Sequence, residues 1–252
     1  MENERIATLR KWLDEAKSIV FLTGAGISTE SGIPDFRSPS AGIYFKGTSA
    51  NVFDIGTFYR DPSVYYKFAQ EFCDLIVRAE PNAAHRAIVA LGQRPDKRVT
   101  VVTQNIDDLH QRAGSDPVWC VHGNLELSRC LRCGKRIKTS ELIDPIRRGE
   151  VPRHDCGGVF KPEVTFFGEM LPERDFMEGQ AAISRADLLV VVGSSLVVYP
   201  AASLPFARRR HCRYAIINRD PTDQDRLANL VIHAAAGDVL SAAIRPEAQE
   251  AG

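Results

Sequence analysis

Ile6, Leu9, Leu13 and Ala16 recur at helical spacing, so the chain opens on an amphipathic helix over about residues 4 to 16. A different rhythm follows. Ser18-Ile19-Val20-Phe21-Leu22-Thr23 is almost continuously apolar and runs into a glycine turn, as a buried strand does. Segments 99–103, 188–192 and 214–217 repeat that pattern, each short, β-branched and ending at small or polar residues. Uninterrupted apolar strands separated by helical stretches predict an α/β fold whose parallel sheet is covered on both faces. Ligands of such sheets gather at the carboxyl ends of the strands, so the residues just after each strand carry the interest.

Two regions interrupt the alternation. Residues 32–90 hold a Pro- and Gly-punctuated loop and then helical patterns, with Val64, Phe68, Phe72, Leu75 and Ile76 on one apolar face after Asp61-Pro62. Aromatic residues at that spacing predict a packing face rather than a cofactor box. Residues 125–167 contain a Cys-x-x-Cys pair, a charged helical stretch and a second cysteine site. Neither insert is large enough to stand alone, and only residues 246–252 have the composition of a loose tail.

Composition sharpens this by exclusion. With 252 residues and 44% hydrophobic content, the chain can bury a substantial core as one large domain, with or without a small insert. Its 32 basic and 32 acidic residues cancel, so no global field draws it to nucleic acid or to a membrane surface. The Arg208-Arg209-Arg210 run is expected to be a solvated helix end. Met1-Glu2-Asn3-Glu4-Arg5 lacks the basic-then-apolar order of a secretory signal, and runs such as 188–192 are too short to span a bilayer. Six cysteines are too few for a disulfide scaffold. The expectation is a cytoplasmic globular protein without nucleic-acid or membrane partners, with Cys73, Cys120 and Cys212 as buried packing thiols.

Candidate chemistry begins where the first strand ends, at Gly24-Ala25-Gly26-Ile27-Ser28. Small residues there let backbone amides approach a pyrophosphate, although glycines also make ordinary turns. Gln104, Asn105 and Asp107 follow the second strand, where a doubly wound sheet presents polar side chains to a ligand. Turn chemistry would explain Asn105 and Asp107 equally well. His122 follows a further apolar segment and precedes a glycine; alone it reads as a site residue or as a satisfied core histidine.

The residues after Ser28 break that tie. Gly24 through Arg37, read as GAGIS-x-x-SGIP-DFR, resembles the signature of the sirtuin family without a departure. Further blocks resemble the family in order: Pro81-Asn82-x-x-His85, Thr103-Gln104-Asn105-Ile106-Asp107, His122-Gly123, Phe167-Gly168-Glu169, Gly193-Ser194-Ser195-Leu196, Asn218-Arg219-Asp220 and Gly237-Asp238. The resemblance covers about residues 5 to 242. It implies a Rossmann-like doubly wound parallel sheet with a smaller lobe made of a helical insert and a zinc-binding module. The implied division is 1–31, 91–124 and 168–252 for the NAD-binding domain, 32–90 for the cofactor loop and helical insert, and 125–167 for the zinc module.

The activity implied is NAD-dependent removal of acyl groups from protein lysines. In the family's mechanism the acyl oxygen attacks C1′ of the nicotinamide ribose and nicotinamide leaves. A ribose hydroxyl deprotonated by a histidine then attacks, and water releases lysine and O-acyl-ADP-ribose. Carried over by position, His122 is the general base, which suits an imidazole with an ordinary pKa of about 6.5. Asn105 would order water and ribose near C1′, Asp107 would hold the nicotinamide carboxamide, and Phe36 would cover the reacting face. Arg37 and Ser194 would bind phosphate and Asn218 the adenosine ribose. Gly24, Ala25, Gly26, Ser28, Asp35, Gln104, Ile106, Gly193, Ser195, Arg219, Asp220 and Asp238 complete the expected NAD site. An acylated-lysine peptide would bridge the lobes as a strand between Val164, Phe167, Gly168, Glu169 on one side and Leu196, Val197 on the other.

One detail departs from the family pattern, and a second bears on the acyl group. Sirtuins usually hold a structural zinc with two Cys-x-x-Cys pairs; here Cys130 and Cys133 form one pair, but the second site reads His154-Asp155-Cys156. His154 is the natural fourth ligand beside Cys156, at the expense of one awkward ligand angle; a three-cysteine site completed by water, or a site without metal, are the alternatives. Sirtuins that remove succinyl or malonyl groups share a Tyr-x-x-Arg pair on the helix after the cofactor loop. That helix here places Ala69 and Phe72 near those positions, and Tyr65 and Tyr66 have no arginine three residues on. A carboxylate entering without a cation would lose its hydration uncompensated, so acetyl or other neutral acyl groups are expected. A mono-ADP-ribosyltransferase or NAD glycohydrolase begins with the same loss of nicotinamide and is the nearest rival. A non-catalytic NAD sensor would need no histidine beside the ribose.

Overall fold

A computed structural model describes residues 2–35 and 50–244. Helix α1 (Glu2–Glu15) leads into strand β1 (Ser18–Thr23). Helices α2 (Ile55–Arg60), α3 (Ser63–Arg78) and α4 (Ala83–Gly92) precede β2 (Arg98–Thr103), α5 (Leu109–Ala113) and β3 (Val118–Cys120). Next come β4 (Gly123–Cys130), β5 (Arg136–Lys138), α6 (Ile143–Arg147) and β6 (Phe160–Val164). Helix α7 (Glu173–Arg185), β7 (Leu188–Val192), β8 (Arg213–Ile217), β9 (Leu230–Ile232) and α8 (Ala236–Ala243) complete the order.

Six strands form one parallel sheet in the order β3-β2-β1-β7-β8-β9. Alternation explains why its strands are apolar throughout. Ile19, Phe21, Val101, Val190 and Ala215 point into one core with Leu9, Leu13, Ile88, Leu91, Val239 and Leu240 from α1, α4 and α8. Val20, Leu22, Val102, Leu189, Val191 and Ile216 point into a second with Ile183 of α7 and Leu204. The expected helix and four strands are present within a residue or two. Strand β9 was not expected, since three residues leave almost no periodic signal. Among the described residues no helix is long and apolar enough to cross a membrane.

Successive strands are added on opposite sides of β1, with β2 on one flank and β7 on the other. Their carboxyl ends therefore diverge into loops that frame a crevice, the switch point where such sheets bind ligands. The β1 and β7 loops touch there backbone to backbone. A Cβ on Gly26 would lie 2.7 Å from Gly193 Cα, and one on Gly24 would lie 2.8 Å from the Gly193 carbonyl oxygen. Gly193 itself sits at φ 62°, in the left-handed region.

A second, antiparallel sheet, β5-β4-β6, stands beside this frame. It replaces much of the helical stretch expected between the cysteines: only a 3-10 turn over Thr139–Leu142 and the five residues of α6 are helical there. Strand β4 carries alternating polar residues, the pattern of a one-sided sheet that the search for buried strands passes over. Its core joins Phe53, Phe58, Tyr65, Tyr66 and Phe166, whose rings meet mostly edge to face, and the Tyr66 hydroxyl donates to the Phe160 carbonyl at 2.6 Å. The expected packing role of Phe68 and Val64 is seen at the rim of this cluster.

Asn82 and His85 dock α4 onto the glycine turn. The Asn82 side-chain oxygen accepts from the Ala84 amide at 3.0 Å, and its amide donates to the Ile27 carbonyl at 2.7 Å. His85 is fully buried and its ring centroid lies 4.7 Å from that of buried His110. Burial, then the nearby Arg86, drives the His85 pKa down to about 4; burial and His85 push His110 well below the ordinary imidazole range. Both rings bind protons more weakly folded than unfolded. Unfolding free energy should therefore be level above about pH 6.5 and decline as pH falls toward 4. Urea titrations of wild type and His110→Gln between pH 8 and 4.5 test this; an equal pH slope in both would remove His110 from the account.

Candidate active site and metal centre

The crevice opens into a cavity of about 320 Å³, within the range of small-molecule sites. The β1 loop contributes Gly24, Ala25, Gly26 and Asp35; the β2 loop Gln104, Asn105 and Ile106; the β7 loop Gly193, Ser194 and Ser195; the β8 loop Asn218 and Asp220. His122 enters from the end of the β3 segment, and Val164, Phe167, Gly168 and Glu169 form the opposite wall. A smaller cavity continues along Gly26, Gly193, Asn218, Asp220 and Arg219 toward the start of α8. The amides of Gly24 and Gly26 donate to the Val192 and Gly193 carbonyls, at 3.0 and 2.8 Å, so these two glycines fix the loop crossing.

Behind the wall lies a buried polar network. Ser28, fully buried, donates from its hydroxyl to Asp107 Oδ2 at 2.9 Å and accepts from Asn105 Nδ2 at 3.0 Å. Asp107 also accepts from the Leu109 amide at 3.1 Å, yet burial dominates and raises its carboxyl pKa. Thr103 Oγ1 accepts from the Asn105 amide at 3.1 Å and from Thr23 Oγ1 at 2.8 Å, which ties the β2 loop to the sheet. Gln104 Nε2 donates to Ser194 Oγ at 2.9 Å and links the β2 and β7 loops.

His122 is held by one contact that decides its chemistry. Its Nδ1 lies 2.9 Å from the Gln104 carbonyl oxygen, which can only accept, so Nδ1 carries the proton and Nε2 the lone pair. Burial lowers the imidazole pKa and the Gln104 carbonyl opposes it in part. The neutral, basic form is thus favoured.

The matching family model is that of the Sir2 family, over residues 24–200. The chain belongs to the Sir2 family. It is 46% identical over 222 residues to a protein of Thermotoga maritima named NAD-dependent protein deacetylase, covering 86% of this chain and 88% of that one. Among solved structures, one of Sir2 with a deacetylated p53 peptide and 3′-O-acetyl ADP ribose superposes with a TM-score of 0.88 at 42% identity, covering 94% of this chain and 96% of the other. Another, of Sir2 with a p53 peptide and NAD+, gives a TM-score of 0.84 at 41% identity, covering 93% and 95%.

Several expected site residues of this Sir2-family chain stand away from the cavity wall. Ser28 and Asp107 lie in the network behind it. Asp238 is exposed in the first turn of α8, where the Gly237 amide meets Glu30 Oε1 at 3.3 Å and Glu30 also pairs with Arg219 at 3.7 Å. Leu196 is buried at φ 55°, a left-handed backbone that costs a leucine on the order of 1–3 kcal/mol, and Val197 is exposed beside it. Phe36 and Arg37 lie outside the described residues. Sequence reasoning missed Phe53, Thr165, Phe166, Leu171, Tyr199, Pro200 and Pro221, which also line the cavity. Each adjoins a recognised block or ends the cofactor-loop segment, so only adjacency pointed to them.

The four expected metal ligands converge. Cys130, Cys133, His154 and Cys156 place their ligand atoms within 4.8 Å of one another, with Cys130 Sγ 3.5 Å from Cys156 Sγ and Cys133 Sγ 3.5 Å from His154 Nδ1. A tetrahedral zinc with bonds of about 2.3 Å to sulfur and about 2.1 Å to nitrogen holds its ligands roughly 3.5–3.8 Å apart. The set fits a structural zinc. The tight His-x-Cys spacing works because the histidine offers Nδ1, the ring nitrogen nearer the backbone. Gly134 at φ 75° closes the first ligand turn, and a Cβ on Gly158 would sit 2.5 Å from Cys130 Sγ. Burial raises the Cys130 thiol, but the Cys133 and Arg132 amides and neighbouring thiols outweigh it and bring the pKa to about 7. Metal analysis should return one zinc per chain, and His154→Ala should lower both zinc content and melting temperature. Unchanged values for both would remove His154 from the ligand set.

Proposed function

We propose that this chain removes acetyl or other neutral acyl groups from protein lysines, using NAD and releasing nicotinamide and O-acyl-ADP-ribose. The observation that carries the reading is His122, whose Nδ1 is committed to the Gln104 carbonyl while the ring lines the same cavity as the β1, β2 and β7 loops. In this arrangement Nε2 is the base that takes the proton of a ribose hydroxyl as its oxygen attacks the acyl carbon. Acyl-lysine, NAD and water go in; lysine, nicotinamide and O-acyl-ADP-ribose come out, so no outside oxidant or energy source is needed. Asn105 lines the cavity with its amide oriented by Ser28, and Asp107, on the same hydroxyl, is assigned to the nicotinamide carboxamide. The β1 and β7 loops are assigned to the diphosphate, and Asn218, Arg219 and Asp220 to the adenosine side.

The peptide is assigned to the wall formed by Val164 and the 166–169 turn, facing Leu196 and Val197. Phe167 pairs by its backbone with Phe53 and Ile55, at 2.7 and 3.1 Å, so the turn is already anchored as part of a ladder. Exposed Phe167 and Tyr199 line the cavity, and exposed Met170 and Val197 adjoin them within the same two segments, an apolar surface suited to an extended peptide. Incubation with NAD and an acetyl-lysine peptide should yield O-acetyl-ADP-ribose by mass; a peptide heavier by ADP-ribose would favour the transferase reading. His122→Ala should cut turnover at least about a hundredfold while NAD still binds. The acid limb of wild-type turnover should lie below the ordinary histidine range, since a lowered pKa keeps Nε2 unprotonated to lower pH. Normal turnover by the variant would remove the base assignment.

Acyl choice follows from charge. Among the described residues the cavity wall carries the carboxylates of Asp35, Glu169 and Asp220 and no lysine or arginine. Phe53, Ile106, Val164, Phe166 and Phe167 supply an apolar lining. A succinyl group would bring a carboxylate to that surface unpaired. Acetyl-lysine peptide should exceed the matched succinyl-lysine peptide in kcat/KM by at least about a hundredfold, or ~2.7 kcal/mol. Comparable values would require a cation outside this wall.

A further inference from the structure

Among the described residues, Asp107, in the network behind Asn105, and Lys161 are the residues of formally charged type buried along backbone and side chain together. Lys161 has no place in the chemistry above. It lies on β6 opposite Arg129 of β4, in a strand where a lysine would ordinarily reach solvent. Instead its ammonium turns under the 162–169 segment. It donates to the Val164 carbonyl at 2.8 Å and the Pro162 carbonyl at 3.2 Å, pairs with Glu169 Oε2 at 2.8 Å, and stands 4.1 Å above the centre of the Phe166 ring. Glu169 Oε2 in turn accepts from the Phe166 amide at 2.8 Å. The same segment reaches the base, since the Thr165 amide donates to the His122 carbonyl at 2.8 Å. A buried ammonium is tolerated only when its donors and charge are matched, and here carbonyls, a carboxylate and an aromatic face match them.

We propose that Lys161 is the positioning residue for the acyl-lysine peptide: it locks the Val164–Glu169 turn that forms the peptide wall and neutralises Glu169 where the peptide backbone arrives. The proposal rests on the peptide site assigned above. It does not act through NAD, because none of the Lys161 contacts belongs to the β1, β7 or β8 loops. Removing the ammonium leaves the Val164 carbonyl without this donor and Glu169, its side chain 26% exposed, as a largely covered carboxylate without its cation. The turn then loses its cross-link while the cofactor side of the cleft keeps its own.

Steady-state kinetics of Lys161→Met and Lys161→Arg, with an acetyl-lysine peptide and NAD varied separately, read this out. Lys161→Met should raise the peptide KM at least about tenfold and leave the KM for NAD within about twofold; Lys161→Arg should recover most of the loss, because a guanidinium can reproduce the ion pair and a carbonyl contact. Binding of a fluorescent acetyl-lysine peptide without turnover should weaken in parallel. An unchanged peptide KM in Lys161→Met, or KM values for peptide and NAD rising together with a lower melting temperature and no rescue by arginine, overturns the proposal. Should Lys161→Met fail to fold, Glu169→Gln removes the charge pair but keeps an acceptor for Phe166; a wild-type peptide affinity in that variant overturns it equally. A wild type that bound the peptide but made no O-acetyl-ADP-ribose would sink the deacylase reading and leave the Lys161 comparison decisive through binding.

Discussion

The cleft depends on one close crossing, where the backbone after β1 meets the backbone after β7. Gly24 and Gly26 come so near Gly193 that a methyl group on any of the three would overlap the opposing loop. That contact fixes where two neighbouring parallel strands stop being a sheet and become the two sides of a site. Hydrogen bonds from both glycine amides to the β7 side hold it. The loops that carry Gln104, Asn105, Ser194 and Asn218 are then presented around one space, because their strands are in register with β1 and β7.

Around that crossing, burial sets the protonation states. Burial favours the neutral His122 ring, a backbone carbonyl at Nδ1 sets its tautomer, and burial pushes Asp107 toward its acid form with Ser28 beside it. Neither effect needs a charged partner. Burial is the largest influence on both groups, and for Asp107 the charges of Asp108 and Arg112 enter only as smaller, opposed contributions.

The smaller lobe solves a different problem. Its sheet has only three strands, two of them no longer than five residues, and needs an apolar face packed against other elements to be stable. The Cys3His cluster lies at the far end of β4, and the Lys161 ammonium lies beneath the Val164–Glu169 segment. Between them the aromatic cluster of Phe53, Phe58, Tyr65 and Phe166 joins this lobe to the end of the cofactor loop. Loops of the parallel sheet and the segment after β6 line one cavity.

The sequence by itself determined the parallel sheet, because strands buried on both faces must be apolar at every position, and it determined the family, because the Gly24–Arg37 block and its successors are local and ordered. It also named the four side chains whose ligand atoms converge, including His154, since ligand types and spacing are local properties. Tertiary structure alone decided the rest. The small sheet was hidden because β4 is half polar, and β9 because it is three residues long. Ser28 is a hub between Asn105 and Asp107, far apart in sequence from both, and no pattern along the chain could reveal that bridge. Lys161 reads in sequence as one more solvent-facing lysine; only the fold brings Val164, Phe166 and Glu169 around its ammonium and makes its burial bearable. Periodicity records which face of an element meets the core, whereas a polar network is a meeting of residues from different elements, and only folding arranges that.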